Sequence, residues 1–499
     1  MNLGWKASEA AYTAVTLALV LLFTKLILSV IYNIYLHPLR KYPGPRLSAA
    51  SKLPLIHAIY SGTRSRLVHN LHQRYGPVVR VAPNELCYTD PRAWKDIHGA
   101  KETRPHGMMR DVSFFRIFED ETAIASIVTA DEEEYARLRG AYLHHLRSLL
   151  ATYESLFTRH ADLLVEKLRA VADKPVDMTA MFSIAIFDLI AQACFGGPPQ
   201  LSKDRTWMRW AENQKNWIKG SVILAGLSEL RLVRLVFALV PSTFLDKQRR
   251  SYLDLTSQKI SQRVQSEKAE PDIVGLALRS NDRFELSEAD LKANAPFILS
   301  AGVETTASAL NNLVALLLSR PDCLLRLTEE IRGTFASTLS IDAGTVSRLT
   351  YLDACVRESL RVYSPVGGSL PRKVPPPGTT IADRWVPGGT RVSISLHSSF
   401  RSPAYFRSAD EFAPERWLPC PNSPFSSDRK AAFQPFGSGR QSCIGQELAN
   451  LTIRLYICKL LLHFDIEPCS PPSEWFLDQK SWLIWEQPPQ FVNLRQRNP

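Results

Sequence analysis

At 499 residues, with no long Gly/Ser linker and no internal repeat, the chain reads as one large globular unit behind an N-terminal segment. Its eight cysteines (Cys87, Cys194, Cys323, Cys355, Cys420, Cys443, Cys458, Cys469) are scattered without a CxxC pair. That argues against a zinc site or a secreted disulfide framework and for a reducing, cytosol-facing environment. The net charge of +11 comes with no dense basic run and no nucleic-acid motif, so it points to an anionic membrane surface or an acidic partner protein.

Residues 11–35, AYTAVTLALVLLFTKLILSVIYNIY, are long and apolar enough to span a bilayer, which takes about 20 residues. Lys25 interrupts the run, either snorkelling or packed against something polar. No small-x-small cleavage site follows, as a signal peptide would need. Arg40, Lys41, Arg46 and Lys52 after the segment outweigh Lys6 before it, so the positive-inside rule puts the remainder in the cytosol. Pro38, Pro43 and Pro45 stiffen the exit, because each fixes its own φ and restricts its predecessor. The expected division is an anchor over 1–36 and a catalytic body over 37–499.

Residues 78–81 and 85–88 read as a strand pair around Pro83-Asn84. The stretch from about 100 to 128 is irregular but bulky and apolar, with Met108, Met109, Phe114, Phe115 and Phe118. A helix opens at Asp131, whose acidic first turn suits the helix dipole, and Tyr135 and Arg139 share one of its faces. Residues 176–196 form a strongly apolar core helix. Residues 222–240 are apolar with Arg231 and Arg234 interspersed, and read as another core helix.

Ser287 and Asp290 resemble a capping box for a long helix that runs to about Ser319, before Pro321. In its middle lies Ala301-Gly302-Val303-Glu304-Thr305-Thr306. A mid-helix glycine costs about 1 kcal/mol relative to alanine, so the small pair at 301 and 302 is expected to let a flat cofactor lie against the helix. Glu304 is a carboxylate in an apolar stretch, and Thr305 can bond back to the helix or turn toward a ligand. Glu358 and Arg361 are i,i+3 on a later helix, and Pro414-Glu415-Arg416-Trp417 follows them.

The stretch 433–449, FQPFGSGRQSCIGQELA, is a glycine-punctuated loop, a single cysteine and the start of an apolar helix over 445 to about 462. Gly437 and Gly439 permit backbone conformations closed to other residues. Cys443, at the helix start, is expected to see free N–H groups and the positive end of the dipole, both of which favour a thiolate. Phe436 is placed to cover one side of the sulfur, and Gly445 to let a large flat group approach. A buried, anionic, N–H-bonded sulfur suits the axial position of a haem iron. With a haem in place, Glu304 and Thr305 become a pair able to relay protons.

Taken together, the Phe-Gly-x-Gly…Cys-x-Gly loop, the Glu304–Thr305 pair, Glu-x-x-Arg, Pro-Glu-Arg-Trp and the segment IYNIYLHPLRKYPGPRLSA resemble the cytochrome P-450 family over essentially the whole chain. The N-terminal segment is similar to the anchor and hinge of fungal pathway monooxygenases. The resemblance implies a mainly α fold, a helix-rich body with small β-sheets behind one transmembrane helix. It implies haem b with Cys443 as axial ligand, surrounded by Phe436, Gly437, Arg440 and Gln441. Tyr135, Arg139 and Arg372 would bind propionates, and Glu358, Arg361 and Arg416 would form a buried charge lock. Phe297, Ala301, Val366 and Leu370 would line the substrate pocket, with residues 480–486 (KSWLIWE) as a second edge and the 100–128 loop as its roof. In membrane-bound relatives the 222–240 region dips into the bilayer, which is the other reading of that segment. The sequence departs from the family at 143–147, and at Gln441, where many relatives carry an arginine; Arg139 and Arg372 are then expected to bind the propionates, with Gln441 adding a neutral bond.

The implied activity is insertion of one oxygen atom from O2 into an apolar small molecule, a terpenoid, polyketide or alkaloid intermediate of secondary metabolism. Electrons would come from NADPH through a cytochrome P-450 reductase, since the chain has no Rossmann glycine pattern. The reductase would dock near Arg137, Arg440 and Lys459. The implied location is the endoplasmic reticulum membrane, single-pass, with lipid and a small-molecule substrate as partners and no nucleic acid. Two other readings fit the same residues: a haem-thiolate isomerase or cyclase that needs no external O2, and a non-catalytic haem-binding membrane protein.

Overall fold

The structure, a computed structural model, describes residues 2–99, 107–111, 124–197, 203–230, 233, 243–266, 268, 270–280, 284–367 and 371–497. Phe114, Phe115, Phe118, Arg231, Arg234 and Leu370 lie outside the described residues.

The first principal helix, α1 (Asn2–Ile31), stands apart from the body. Together with the π turn that extends it, it holds the span Tyr12–Leu36, with mean hydropathy 2.5 and no burial against protein. Such a surface is stable only against lipid or another apolar partner. A second helix, Met178–Phe195, is apolar enough to cross a membrane but is 78% buried, as expected of a core helix. His37 caps the short Pro38–Lys41 turn by accepting from Leu39 N, which fixes the exit from the apolar span.

The body is built from α2 (Leu53–Tyr60), α3 (Glu132–Thr152), α4 (Glu154–Arg169), α5 (Met178–Phe195), α6 (Arg205–Ser228), α7 (Thr243–Val264), α8 (Glu288–Ser319), α9 (Thr350–Val362) and α10 (Gln446–His463), with shorter helices between them. Asp131 caps α3 by accepting from Glu134 N, and three glutamates fill the first turn. The Ser287–Asp290 capping box forms at the head of α8, with both reciprocal bonds present. Pro296 sits inside this helix without ending it. From Thr306 to Leu318, α8 is buried on every side, so it is the axis of the core rather than an amphipathic surface helix. It packs along α5, and also against α7, α9 and α10.

The strands form small sheets. Antiparallel β1 (Val78–Ala82) and β2 (Glu85–Tyr88) extend through parallel pairing to β7 (Arg391–Ile394), which pairs with β4 (Arg372–Lys373). β5 (Gly378–Ile381) and β6 (Arg384–Pro387) form one hairpin, and β9 (Lys480–Trp482) and β10 (Ile484–Glu486) another. β3 (Val176–Asp177), β11 (Phe491–Gln496) and β8 (Phe464–Pro468) close the chain's C-terminal end onto the start of α5. β4 matters most here, because its two residues bring Arg372 into the interior.

Candidate functional site

Cys443 ends the glycine loop two residues before the N-cap of α10, Gly445. Its N–H donates to the Phe436 carbonyl at 2.8 Å, folding the loop back on itself. Gly437 and Gly439 have φ of +75° and +71°, the left-handed region that favours glycine. At Gly439 a Cβ would also stand 2.4 Å from the His98 carbonyl oxygen, so this position closes the loop onto the short helix Arg92–His98. Cys443 is surrounded by many protein atoms and yet is exposed as a residue. Burial pushes its thiol pKa up, opposed by the N–H of Gly445 and by the Arg139 guanidinium. The thiolate expected from the helix start alone is therefore outweighed by desolvation; a cation at the sulfur would reverse that balance.

Arg139, on α3, donates to the Ser442 carbonyl at 2.6 Å and to Ser442 Oγ at 3.1 Å, beside the cysteine. One turn earlier, Tyr135 donates through its hydroxyl to the Arg440 carbonyl at 3.1 Å. The i,i+4 pair thus grips the cysteine loop from one helix face. Arg110 lies over the Tyr135 ring, 5.0 Å from its centroid, and bridges to Arg372 of β4. Arg372 is 2% exposed and, among the described residues, donates only to the Pro371 carbonyl at 3.1 Å and leaves its Nε without a partner. Burial, reinforced by Arg110, pulls the Arg372 pKa down to about 9. The same two arginines add to burial in holding His98 neutral, with its pKa down to about 3.

Among the described residues no carboxylate pairs with Arg110, Arg139 or Arg372. Like charges in a low-dielectric interior repel, and a buried unpaired cation is costly. The arrangement is that of a site for an anion that none of the described residues supplies. A flat group with two carboxylates, as haem carries in its propionates, fits the charge, the unused Arg372 Nε and the exposed Cys443. Gln441 turns its amide N toward the Met108 carbonyl at 3.5 Å, while its Oε1 is buried without a partner. Arg110 and His98 were not singled out in the sequence; they fall in or beside an irregular stretch where no period marks a residue as inward-facing.

On the other side of the core, Ala301 is exposed in the middle of α8. Thr305 Oγ1 donates back to the Ala301 carbonyl at 2.6 Å. Gly302 does not face this open surface. A Cβ there would meet the Ile190 side chain of α5 at 3.1 Å, so the glycine serves the packing of α8 on α5, and only Ala301 offers the small-residue face expected of the pair. Glu304 borders a cavity of about 290 Å³ between α5 and α6, shared with Ser183, Lys215 and Gln487. Burial raises its pKa, partly offset by Lys215.

Phe297 is half-buried on α8. Val366 bridges to Ile484, and Gly367 is pressed against the Trp485 ring, where a Cβ would come within 2.6 Å. The 480–486 stretch forms the β9–β10 hairpin. Ile484 and Trp485 line, with Ile218, Ala307 and Glu304, a second hollow against α8.

The charge lock is fully buried. Arg361 donates to both Glu358 oxygens at 2.8 and 2.9 Å, Arg416 Nε to the same carboxylate at 3.2 and 3.3 Å, and Trp417 Nε1 at 2.8 Å. The remaining Arg361 N–H groups reach the carbonyls of Phe400, Ala409 and Glu411, and Arg416 also pairs with Asp428. Of the three cations expected to present a docking face, Lys459 does not: it is 1% exposed and paired with Asp162. Arg137 is engaged by Glu134 and Asp290, and Arg440 is exposed on the cysteine loop.

Residues 43–494 match the cytochrome P-450 family profile. The chain is 38% identical over 471 residues to cytochrome P-450 monooxygenase aneG of Aspergillus aculeatus, covering 93% of this chain and 89% of that protein. It is 34% identical to averantin hydroxylase of Dothistroma septosporum, over 94% of this chain and 89% of that one. A crystal structure of the haem domain of cytochrome P-450DA superposes with a TM-score of 0.71 over 89% of this chain and 95% of that one, at 19% identity, which speaks to fold alone. The chain belongs to the cytochrome P-450 family. It is an oxidoreductase of the monooxygenase kind, similar to fungal enzymes of secondary metabolism, with a haem cofactor, a small-molecule substrate and a need for a redox partner.

Proposed function

We propose that the protein is a membrane-anchored monooxygenase that hydroxylates an apolar polyketide, terpenoid or alkaloid intermediate. Residues 1–36 serve as a single-pass anchor in the endoplasmic reticulum and residues 37–499 as a cytosolic catalytic body. Cys443 Sγ would hold the haem iron. Arg139 and Arg372 would hold the propionates with Arg110, and Tyr135 and Gln441 would complete the cradle around Phe436 and Gly437. The haem supplies the reductive activation of O2 and the transfer of one oxygen atom to the substrate, drawing two electrons from NADPH through a cytochrome P-450 reductase.

The chain's own residues govern protons and access. Glu304, raised in pKa by burial, keeps a proton on its carboxyl at a pH where an exposed glutamate would have lost it. Thr305 holds its hydroxyl proton against the Ala301 carbonyl and can release it toward the open side of α8 by a χ1 rotation. Phe297, Ala301, Val366 and the β9–β10 hairpin set a largely apolar wall, which excludes water and favours an apolar ligand. Arg440, exposed on the cysteine loop, is a basic group on the side where a partner would meet that loop.

The observation that carries this reading is an exposed Cys443 near three arginines that pair with no carboxylate among the described residues. The test is the carbon monoxide difference spectrum of the dithionite-reduced protein, wild type beside Cys443→Ser. The expected result is a strongly red-shifted Soret band in wild type and its loss in the variant. A band at the shorter wavelength of histidine- or thiol-ligated haem in wild type would overturn the assignment.

A further inference from the structure

The cavity of about 290 Å³ between α5 and α6 lies on a different face of α8 from Ala301 and Thr305. From α8 it receives Val303 and Glu304. Its apolar walls come from Ile184 and Phe187 of α5 and from Met208 and Ala211 of α6. Phe187 is itself held in place, with its ring centroid 6.1 Å from that of Trp207 and 6.0 Å from that of Trp210, so this wall is formed before any ligand arrives. Ligand pockets start at roughly 300 Å³, so the space suits a molecule of one or two rings.

The polar groups around it divide into spent and unspent. Asp177 Oδ1 accepts from the N–H groups of Thr179 and Gln490, both at 3.0 Å, and Thr179 Oγ1 donates to the Pro488 carbonyl at 3.0 Å. Gln487 spends its amide on Ser308, Asn311 and Asn312. Gln214 of α6 differs from these. It is 1% exposed, and its Nε2 has no partner among the described residues. A buried amide donor left unmade is costly, so a group from outside that accepts from it is favoured. Ser183 Oγ accepts from Lys215 at 3.5 Å, which leaves its own proton to give. The Glu304 carboxyl, pushed up in pKa by burial, is a third donor for as long as it keeps its proton. At the rim, exposed Lys215 and Glu212 carry opposite charges one turn apart, so the mouth selects no net charge.

We propose that this cavity is a second ligand site, separate from the haem pocket, for a small neutral molecule with an apolar body and a hydrogen-bond acceptor such as a ketone, ester or lactone carbonyl. Gln214 Nε2 donates to that carbonyl, Ser183 adds a weaker bond, and Phe187, Met208 and Ala211 cover the body. A hydrocarbon would leave the Gln214 donor unmade, and a carboxylate would meet Glu212 at the rim. An occupant touches Glu304 from the side away from Ala301, and so bears on the carboxyl that governs protons. The site rests on the haem reading only in that a haem ligand is used to close the other pocket in its test.

The experiment titrates full-length holoprotein, saturated with the bulky haem ligand clotrimazole, with para-fluoroacetophenone and follows binding by fluorine NMR. The comparison ligand is para-fluoroethylbenzene, which has the same shape without the carbonyl. In wild type the ketone should bind about tenfold more tightly than the hydrocarbon, and Gln214→Leu should remove that advantage by weakening the ketone alone. Ala211→Phe, which fills the cavity, should abolish binding of both. If Gln214→Leu loads haem poorly, Ser183→Ala carries the test, with a loss of about threefold for the ketone only. Equal Kd values for ketone and hydrocarbon in wild type would overturn the site, as would a ketone that binds only in the absence of clotrimazole, which places it in the haem pocket. A cavity that holds only water would show no ketone binding and overturn it too. Failure of clotrimazole to shift the Soret band would sink the haem reading instead, so the two failures are distinguishable.

Discussion

Two buried clusters of arginine sit within this body, and they are built in opposite ways. Around Glu358, every charge has an opposite charge or a backbone carbonyl: the carboxylate is held by Arg361, Arg416, Trp417 and the Ala413 N–H, and the spare guanidinium donors are consumed by carbonyls. Around Tyr135, Arg110, Arg139 and Arg372 converge with no carboxylate among the described residues, and one buried Nε is unused. A self-satisfied network holds structure. An unsatisfied one is tolerable only where something from outside completes it. Burial alone does not separate the two, since Arg361 and Arg372 are equally hidden; the hydrogen-bond inventory does.

The sharpest way to break this contrast is Glu358→Ala. It strands two buried guanidinium groups and should cost roughly 3–5 kcal/mol, enough that little folded, haem-loaded protein is recovered. Recovery of wild-type thermal stability would mean that the lock is not self-contained. Next in size is Glu304→Gln, which removes the raised-pKa carboxyl and should lower coupled, NADPH-driven turnover about 100-fold. The sign with pH follows from the direction of the shift. As pH rises through the elevated Glu304 pKa the proton is lost, so wild-type coupling falls on the alkaline side, and Glu304→Gln should lose that limb. A retained limb in the variant would assign the titration to another group.

Arg372→Leu tests the unsatisfied cluster directly. It removes an unpaired buried charge, so the apoprotein should melt at the same temperature or higher, while haem affinity falls roughly ten- to hundredfold. Haem titration and melting curves of both forms check the split. Gln441→Ala should lose less affinity than Arg372→Leu, because a neutral amide makes a weaker bond to a carboxylate than a guanidinium does. A destabilised Arg372→Leu apoprotein would make this cluster structural after all. The smallest effect is expected at Gly302→Ala, where the new methyl meets Ile190 at 3.1 Å. The helix gains about 1 kcal/mol in propensity and loses about as much or more to overpacking. The net change, read from melting curves, should stay within about 1 kcal/mol of zero, its sign set by how far the Ile190 side chain can give way.

Most of the elements were legible because their signals are local. The α8 capping box needs only Ser287 and Asp290. The strand pair about Pro83-Asn84 and the helix caps at Asp131 and Gly445 follow equally from neighbours in sequence. Gly302 shows the limit of that reasoning. A mid-helix glycine announces a close approach but not by what, and the partner, Ile190, lies more than a hundred positions earlier. Lys459 shows the same limit. On α10 it reads as an exposed cation, and only the packing of α4 brings Asp162 over it.

The sequence by itself determined the apolar N-terminal helix, the helix-rich plan, the cysteine at the head of a helix and the adjacency of Glu304 and Thr305, because apolar runs, caps and glycine loops act within a few residues of themselves. Tertiary structure alone decided which charges meet. It made a closed lock of Glu358 and an open cradle of Arg372, raised the Glu304 pKa by burial, and set the buried Gln214 beside the cavity that Glu304 borders. Those outcomes depend on desolvation and on partners far apart in the chain, and neither is written in any short stretch of it.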